Sequence, residues 1–244
     1  MTYSSKLLLI GIMSYVVSGC GGGNSDGDQI TPSVNDITSG LIAYYPFNGN
    51  ANDETSNGKD GVVAGPVLVD DRNGKNISAY AFDGFDDIIT IPVNINPDVL
   101  PQATITVWAR VDVDTDFNVV ISHDKVDSRG FDRSIAVDNR GGGKGWSVFS
   151  GTGSVLGFEP VDAGVWVFLA AVYDQAAGTV KLFVNNKKFE KAGTLFSGYD
   201  ATTIGANPGY SPLANAGYFN GAIDDVRIYN RALTQSEIQE IYGL

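Results

Sequence analysis

Five glutamates (positions 54, 159, 190, 237 and 240), one histidine (His123) and one cysteine (Cys20) carry most of the acid–base and nucleophilic chemistry open to this 244-residue chain. A retaining glycoside hydrolase needs two carboxyls about 5 Å apart, one as acid and base and one as nucleophile. The only close glutamate pair, Glu237 and Glu240, falls three residues apart in a C-terminal stretch patterned as a helix. Any histidine-centred triad would have to use His123, which sits beside Asp124 and Lys125 and reads as a solvated loop histidine. No catalytic residue is assigned, and the chain reads as a binding module rather than an enzyme. A lyase using Tyr and Arg leaves no motif by which to find it.

Oxygen ligands and aromatic platforms are better represented. Of 28 acidic residues 23 are aspartate, a side chain that favours loops and calcium ligation over strands and helices. The loop from Asn52 to Gly58 is dense in oxygen donors, with Asp53 and Asn57 as the leading ligands and the Gly61 region supplying backbone carbonyls. Alternation along Ala222–Tyr229 puts Asp224 on the face of Val226 and Ile228, so that if those two point to the core, Asp224 needs a cation or donors to offset desolvation. Of the three tryptophans, Trp108 and Trp166 lie in apolar runs and read as core. Trp146 follows the glycine-rich stretch 139–145, where either a sugar-stacking platform or a core position fits. Tyr199 and Tyr210, in the Gly/Pro-rich span 198–218, are weaker platforms of the same kind.

These residues sit among short β-branched and aromatic runs separated by Gly, Asn, Asp and Pro: 41–47, 78–82, 88–91, 103–111, 119–122, 133–137, 145–149, 165–173, 179–184, 202–205 and 222–229. Residues 83–87 and 174–178 read as hairpin turns. Strands at this spacing indicate a sandwich or barrel. One helix is expected after Leu233, with Thr234 as N-cap and Glu237 three residues on completing a capping box; Leu233, Ile238 and Ile241 give its apolar stripe.

The N-terminus is organised differently. Lys6, the apolar run 7–17 and the small pair Ser18-Gly19 ahead of Cys20 form a secretory signal too short to span a bilayer. Residues 17–20 resemble a bacterial lipoprotein box, which implies lipidation of Cys20 and an outer-membrane or cell-surface location. Residues 21–39, rich in Gly, Asn, Asp and Ser, read as a flexible tether. A net charge of −12 argues against nucleic acid and against a basic membrane-binding patch, so the lipid anchor is the one membrane contact expected.

The opening of the domain, Gly40–Gly61, and its close, Phe219–Thr234, carry a resemblance to the LamG-like jelly-roll domains of the concanavalin A-like lectin/glucanase superfamily, with residues 82–87, the Trp108 and Trp166 runs and residues 180–186 in matching order. The resemblance implies a jelly-roll β-sandwich of two antiparallel sheets over residues 40–244, closed by a short helix, with the first and last strands side by side. That adjacency would bring Asp53 and Asp224 to one structural calcium ion. Glucanase relatives use a Glu-x-Asp-x-x-Glu strand, and none is present here. The expected partner is a polysaccharide or glycoprotein; protein-binding adhesion without a sugar site, and a small polysaccharide-processing enzyme, are the alternatives.

Overall fold

The computed structural model describes residues 36–114, 116–124, 133–140, 142–149, 155–193, 201–207 and 217–244. Ten-residue strand β6 (Gln102–Val111) shows how the sequence sets the layers. Its odd positions, Ile105, Val107, Ala109 and Val111, enter the main core. Its even positions, Thr104, Thr106, Trp108 and Arg110, therefore line the opposite face, as a period of two requires.

Around β6 an eight-stranded sheet runs in the order β13 (Lys187–Ala192), β12 (Thr179–Val184), β11 (Trp166–Asp174), β6, β15 (Asn220–Tyr229), β4 (Ala79–Asp83) and β3 (Val67–Val69), with β1 (Leu41–Tyr45) also on β15. The facing seven-stranded sheet runs β10 (Val155–Glu159), β9 (Gly145–Phe149), β8 (Arg133–Asp138), β7 (Phe117–Asp124), β14 (Ala201–Ile204), β5 (Ile88–Ile91) and β2 (Val62–Ala64). All the pairings are antiparallel. The expected two-sheet antiparallel sandwich, consistent with a jelly roll, is what the chain forms, with first strand β1 beside last strand β15.

A second apolar cluster lies on the outer face of the eight-stranded sheet. There α1 (Gln235–Tyr242) covers Phe168, Ala170 and Tyr229 with Leu233, Ile238 and Ile241. Thr234 caps the helix and Glu237 closes the capping box, as the sequence predicts. Ile37 joins this cluster and the compact unit runs Asn35–Leu244, so packing reaches a few residues ahead of the expected boundary at 40. Among the described residues no helix is long and apolar enough to cross a membrane.

Candidate functional site

Strand β15 changes neighbour part-way along. Residues 220–223 pair with β4 and residues 226–229 pair with β1. At the change the register against β6 slips between Asp224 and Arg227, and Asp225 takes a left-handed φ of 56°. One residue is inserted there, as in a β-bulge. This insertion overturns the expected orientation of Asp224. Val226 and Ile228 do face the core, but Asp224 lies opposite Trp108 on the outer face. Arg72, from the turn between β3 and β4, reaches both carboxylates, at 2.5 Å to Asp224 and 3.1 Å to Asp225. Arg227 lies 2.7 Å from Asp225 and stacks over Tyr44, while Arg72 stacks over Trp108. Burial still outweighs Arg72 and pushes Asp224 up to about 6.

Asp53 is answered differently. Its Oδ1 accepts the N–H groups of Tyr44 and Thr55, and its Oδ2 accepts the Thr55 hydroxyl and the Lys59 N–H, all within 3.0 Å. These bonds together hold its pKa below the usual value even against burial. Asn57 donates its side-chain amide to the Ile42 carbonyl at 3.1 Å, and the Gly61 N–H goes to Ala51 O at 2.8 Å. Calcium requires about six to eight oxygens turned toward one point. A carboxylate saturated by four donors and another held by a guanidinium do not fit a cation shared by Asp53 and Asp224. Asp53 and Asn57 have partners within or beside their own turn, and Asp224 lies in a separate ion-pair cluster. Asp83, Asp86 and Asp87 bring one carboxylate oxygen each within 4.8 Å of one another, and burial, with the like charges of Asp83 and Asp86 after it, raises Asp87.

The tryptophans also sort differently from expectation. Trp146 is 1% exposed and packs in the core between the sheets, opposite Val137 on β8, so no sugar ring can stack on it. Trp108 is covered by Phe168, Tyr242 and Arg72. Trp166, read as core, is only half-buried on the outer face. Its partner across the sheet is Arg110, whose guanidinium lies 5.3 Å from the ring. Asp112 holds that guanidinium with two bonds, 2.7 and 3.0 Å, which raise the arginine's pKa further. Ala222, Ala81 and Val67 continue the same cross-strand row. Five strands at about 4.8 Å make a strip roughly 19 Å long. The local signal for it was the alternation of β6, which assigns Arg110 to the face opposite the core.

His123 is not a loop residue. It ends the inward face of β7 at 1% exposure, with Nδ1 2.7 Å from the Thr202 hydroxyl oxygen. That hydroxyl donates to Val93 O, which leaves it only acceptor capacity for the ring and puts a proton on Nδ1. Glu159 and Glu190 pair with Lys187 and Lys188, and Glu237 with Arg231. Cys20, Tyr199 and Tyr210 lie outside the described residues.

A family profile described as the concanavalin A-like lectin/glucanases superfamily matches residues 83–239, well over half of the chain. The chain belongs to that superfamily. Among solved structures the lectin-like domain is similar to domain 4 of AbnA, a GH43 extracellular arabinanase from Geobacillus stearothermophilus, in complex with arabinotriose. The two are 23% identical with a TM-score of 0.65, over 83% of this chain and 98% of that one. A Trypanosoma rangeli sialidase in complex with 2,3-difluorosialic acid is 16% identical with a TM-score of 0.62, over 84% of this chain and 33% of the sialidase. The binding domain of botulinum neurotoxin serotype D is 16% identical with a TM-score of 0.60, over 86% and 53%. At these identities the likeness is one of fold. No curated protein matches the chain.

Proposed function

We propose that the domain is a carbohydrate-binding module whose platform is Trp166 with Arg110 and Asp112. The observation that carries the proposal is the partly exposed Trp166 on the outer face, set beside a guanidinium that a carboxylate locks in place. Sugar C–H faces pack on π systems, and the guanidinium and carboxylate edges supply a donor and an acceptor for hydroxyls. Similarity to a whole domain solved with arabinotriose supports the same reading.

Retention on neutral polysaccharides in affinity electrophoresis tests the proposal. Trp166→Ala is expected to abolish retention with little change in melting temperature, whereas Trp146→Ala should lower stability first. Retention that survives Trp166→Ala overturns the platform, and a glycan array with no positives favours protein-binding adhesion. Surface display belongs to the same proposal and rests on residues 17–20 alone. Cys20→Ala is expected to move the protein from the detergent phase to the soluble fraction, and continued partitioning with membrane removes the anchor.

A further inference from the structure

In a chain with a net charge of −12, four of the nine lysines, Lys181, Lys187, Lys188 and Lys191, fall on the hairpin of β12 and β13. Glu190 is the one acidic residue on those two strands. The register fixes where the lysines stand. Lys188 pairs with Phe183 and Lys181 with Val172, and both partners belong to the cluster on the outer face of the eight-stranded sheet. Lys191 pairs with Val180 and Lys187 with Val184, both core residues, so these two flank Phe189 on the inward side of the strand. The edge therefore presents cations from both faces, and the three lysines of β13 are exposed.

These cations are weakly answered. Lys187 pairs with Glu159 and Lys188 with Glu190, through side chains open to water, where such pairs are worth little. Among the described residues no carboxylate forms an ion pair with Lys181 or Lys191. By contrast Arg72, Arg110, Arg140, Arg227 and Arg231 each hold a carboxylate. Protecting an open edge against another chain takes charge of either sign. It does not call for lysines gathered against the sign of the whole chain.

The hairpin also adjoins the Trp166 platform. At its turn Asn185 donates its backbone N–H to the Phe168 carbonyl at 2.8 Å and accepts the Phe168 N–H on Oδ1 at 2.9 Å, two residues along β11 from Trp166. Lys188 shares a cross-strand row with Ala170, four residues from Trp166 and two strands away, on the order of 16 Å. Lysine is a flexible, strongly hydrated point charge, so a row of lysines selects repeated anionic charge rather than the shape of one carboxylate. A single anionic chain meets only this hairpin. An extended anionic surface such as a bilayer also meets the acidic remainder of the domain, which repels it.

We propose that the β12–β13 edge binds a polyanionic polysaccharide through Lys181, Lys188 and Lys191, as a continuation of the Trp166 platform. The polysaccharide half of this inference rests on the carbohydrate reading above, and the polyanion half rests on the lysines alone.

Affinity electrophoresis and titration calorimetry of the full chain test it with two matched pairs: polygalacturonate with its fully methyl-esterified form, and dextran sulfate with dextran. In about 0.01 M salt, where charges are felt over about 30 Å, at least one charged member is expected to bind about tenfold more tightly than its neutral partner. In about 1 M salt, with a screening length of about 3 Å, the preference is expected to vanish. Which pair shows it separates carboxylate from sulfate. The triple variant Lys181→Gln, Lys188→Gln, Lys191→Gln is expected to lose the preference with its melting temperature little changed, and the corresponding arginine triple to keep it. If the glutamine triple does not fold, Lys188→Gln with Lys191→Gln, both fully at the surface, serves. No preference in either pair, a preference indifferent to salt, or one that survives the glutamine variants overturns the proposal. Binding to phosphatidylglycerol vesicles with none to either polyanion overturns it in favour of a membrane contact. Trp166→Ala is expected to abolish retention of the neutral members and to leave weak, salt-sensitive binding of the charged one, so failure of the platform and failure of the lysine edge are separable.

Discussion

Arg72 and Arg133 are both largely withdrawn from water, and they differ in what surrounds them. Arg72 lies between two carboxylates and over an indole, with Arg227 and Tyr44 completing a cluster in which each charge has an opposite within about 3 Å. Among the described residues Arg133 has one carbonyl and one aromatic ring. The first cluster sits where β15 exchanges β4 for β1, and its charges bind three elements across a bulge that the backbone ladder alone leaves weak. The second opens β8, opposite His123 of β7. Compensated buried charge therefore marks a structural joint here, whereas Arg133 has no carboxylate beside it among the described residues.

The sharpest way to break this comparison is one substitution made at both positions. Arg72→Met strands Asp224 and Asp225 as buried carboxylates, and removing one partner of a buried pair costs about 3–5 kcal/mol. At roughly 2–4 °C per kcal/mol for a domain of this size, the melting temperature should fall by on the order of 10 °C at pH 7.5. Arg133→Met gives up one hydrogen bond and a cation–π contact but also a desolvated charge, so its stability should stay within about 1 kcal/mol of wild type. Denaturant titrations giving equal losses for the two would show that Arg133 is as structural as Arg72.

A smaller effect sharpens the contrast between anions held by cations and anions held by neutral donors. Asp53→Ala removes the acceptor of three backbone N–H groups and one hydroxyl at the turn after β1. Exposed edges of that turn can recruit water, so the expected loss is about 2 kcal/mol rather than the sum of four bonds. The loss should be the same with and without a calcium chelator. A chelator that lowers the wild-type melting temperature and has no effect on Asp53→Ala would restore a calcium ion at this turn.

Much of this was legible in the sequence, and the failures have physical reasons. Strand β6 alternates over ten residues and β11 is a continuous apolar run buried on both faces, so both patterns are strong. Edge strands escape it. Strand β2 is three exposed residues, and β13 carries Lys187, Lys188, Glu190 and Lys191 because a charged edge resists pairing with another chain. The orientation of Asp224 was misread because a single inserted residue reverses a period of two, and no residue type announces a bulge when Asp225 supplies the left-handed φ in place of glycine. Arg72 stands 152 residues from Asp224, beyond any local pattern. The glycine-rich approach to Trp146 left a sugar platform and a core position both open, and strand β9 turns it inward, opposite Val137 of β8.

The smallest expected effect tests charge compensation at the start of α1 and depends on pH. Glu237 accepts the N–H and hydroxyl of its own N-cap, Thr234, at 2.7 and 2.8 Å, and Arg231 lies 2.7 Å from its other oxygen. Arg231 first, and Thr234 after it, hold its pKa down at about 2 against an ordinary 4.5. A depressed carboxylate stabilises only while ionised: its contribution is complete above about 4.5 and is lost as pH falls toward 2. Asp224 has the opposite sign. Its folded value near 6 lies above an ordinary 3.8, so whatever its neutral form contributes is present below 3.8 and is lost as pH rises through 6. The two carboxylates therefore separate in a pH series. Glu237→Gln should cost about 1 kcal/mol, the worth of a capping interaction, at every pH above 5. Its difference from wild type should shrink steadily between pH 4.5 and 3, where Asp224 has already taken up its proton. A Glu237→Gln penalty that stays constant down to pH 3 would mean that shape rather than charge holds the helix start, and that the Arg231 pair adds nothing measurable.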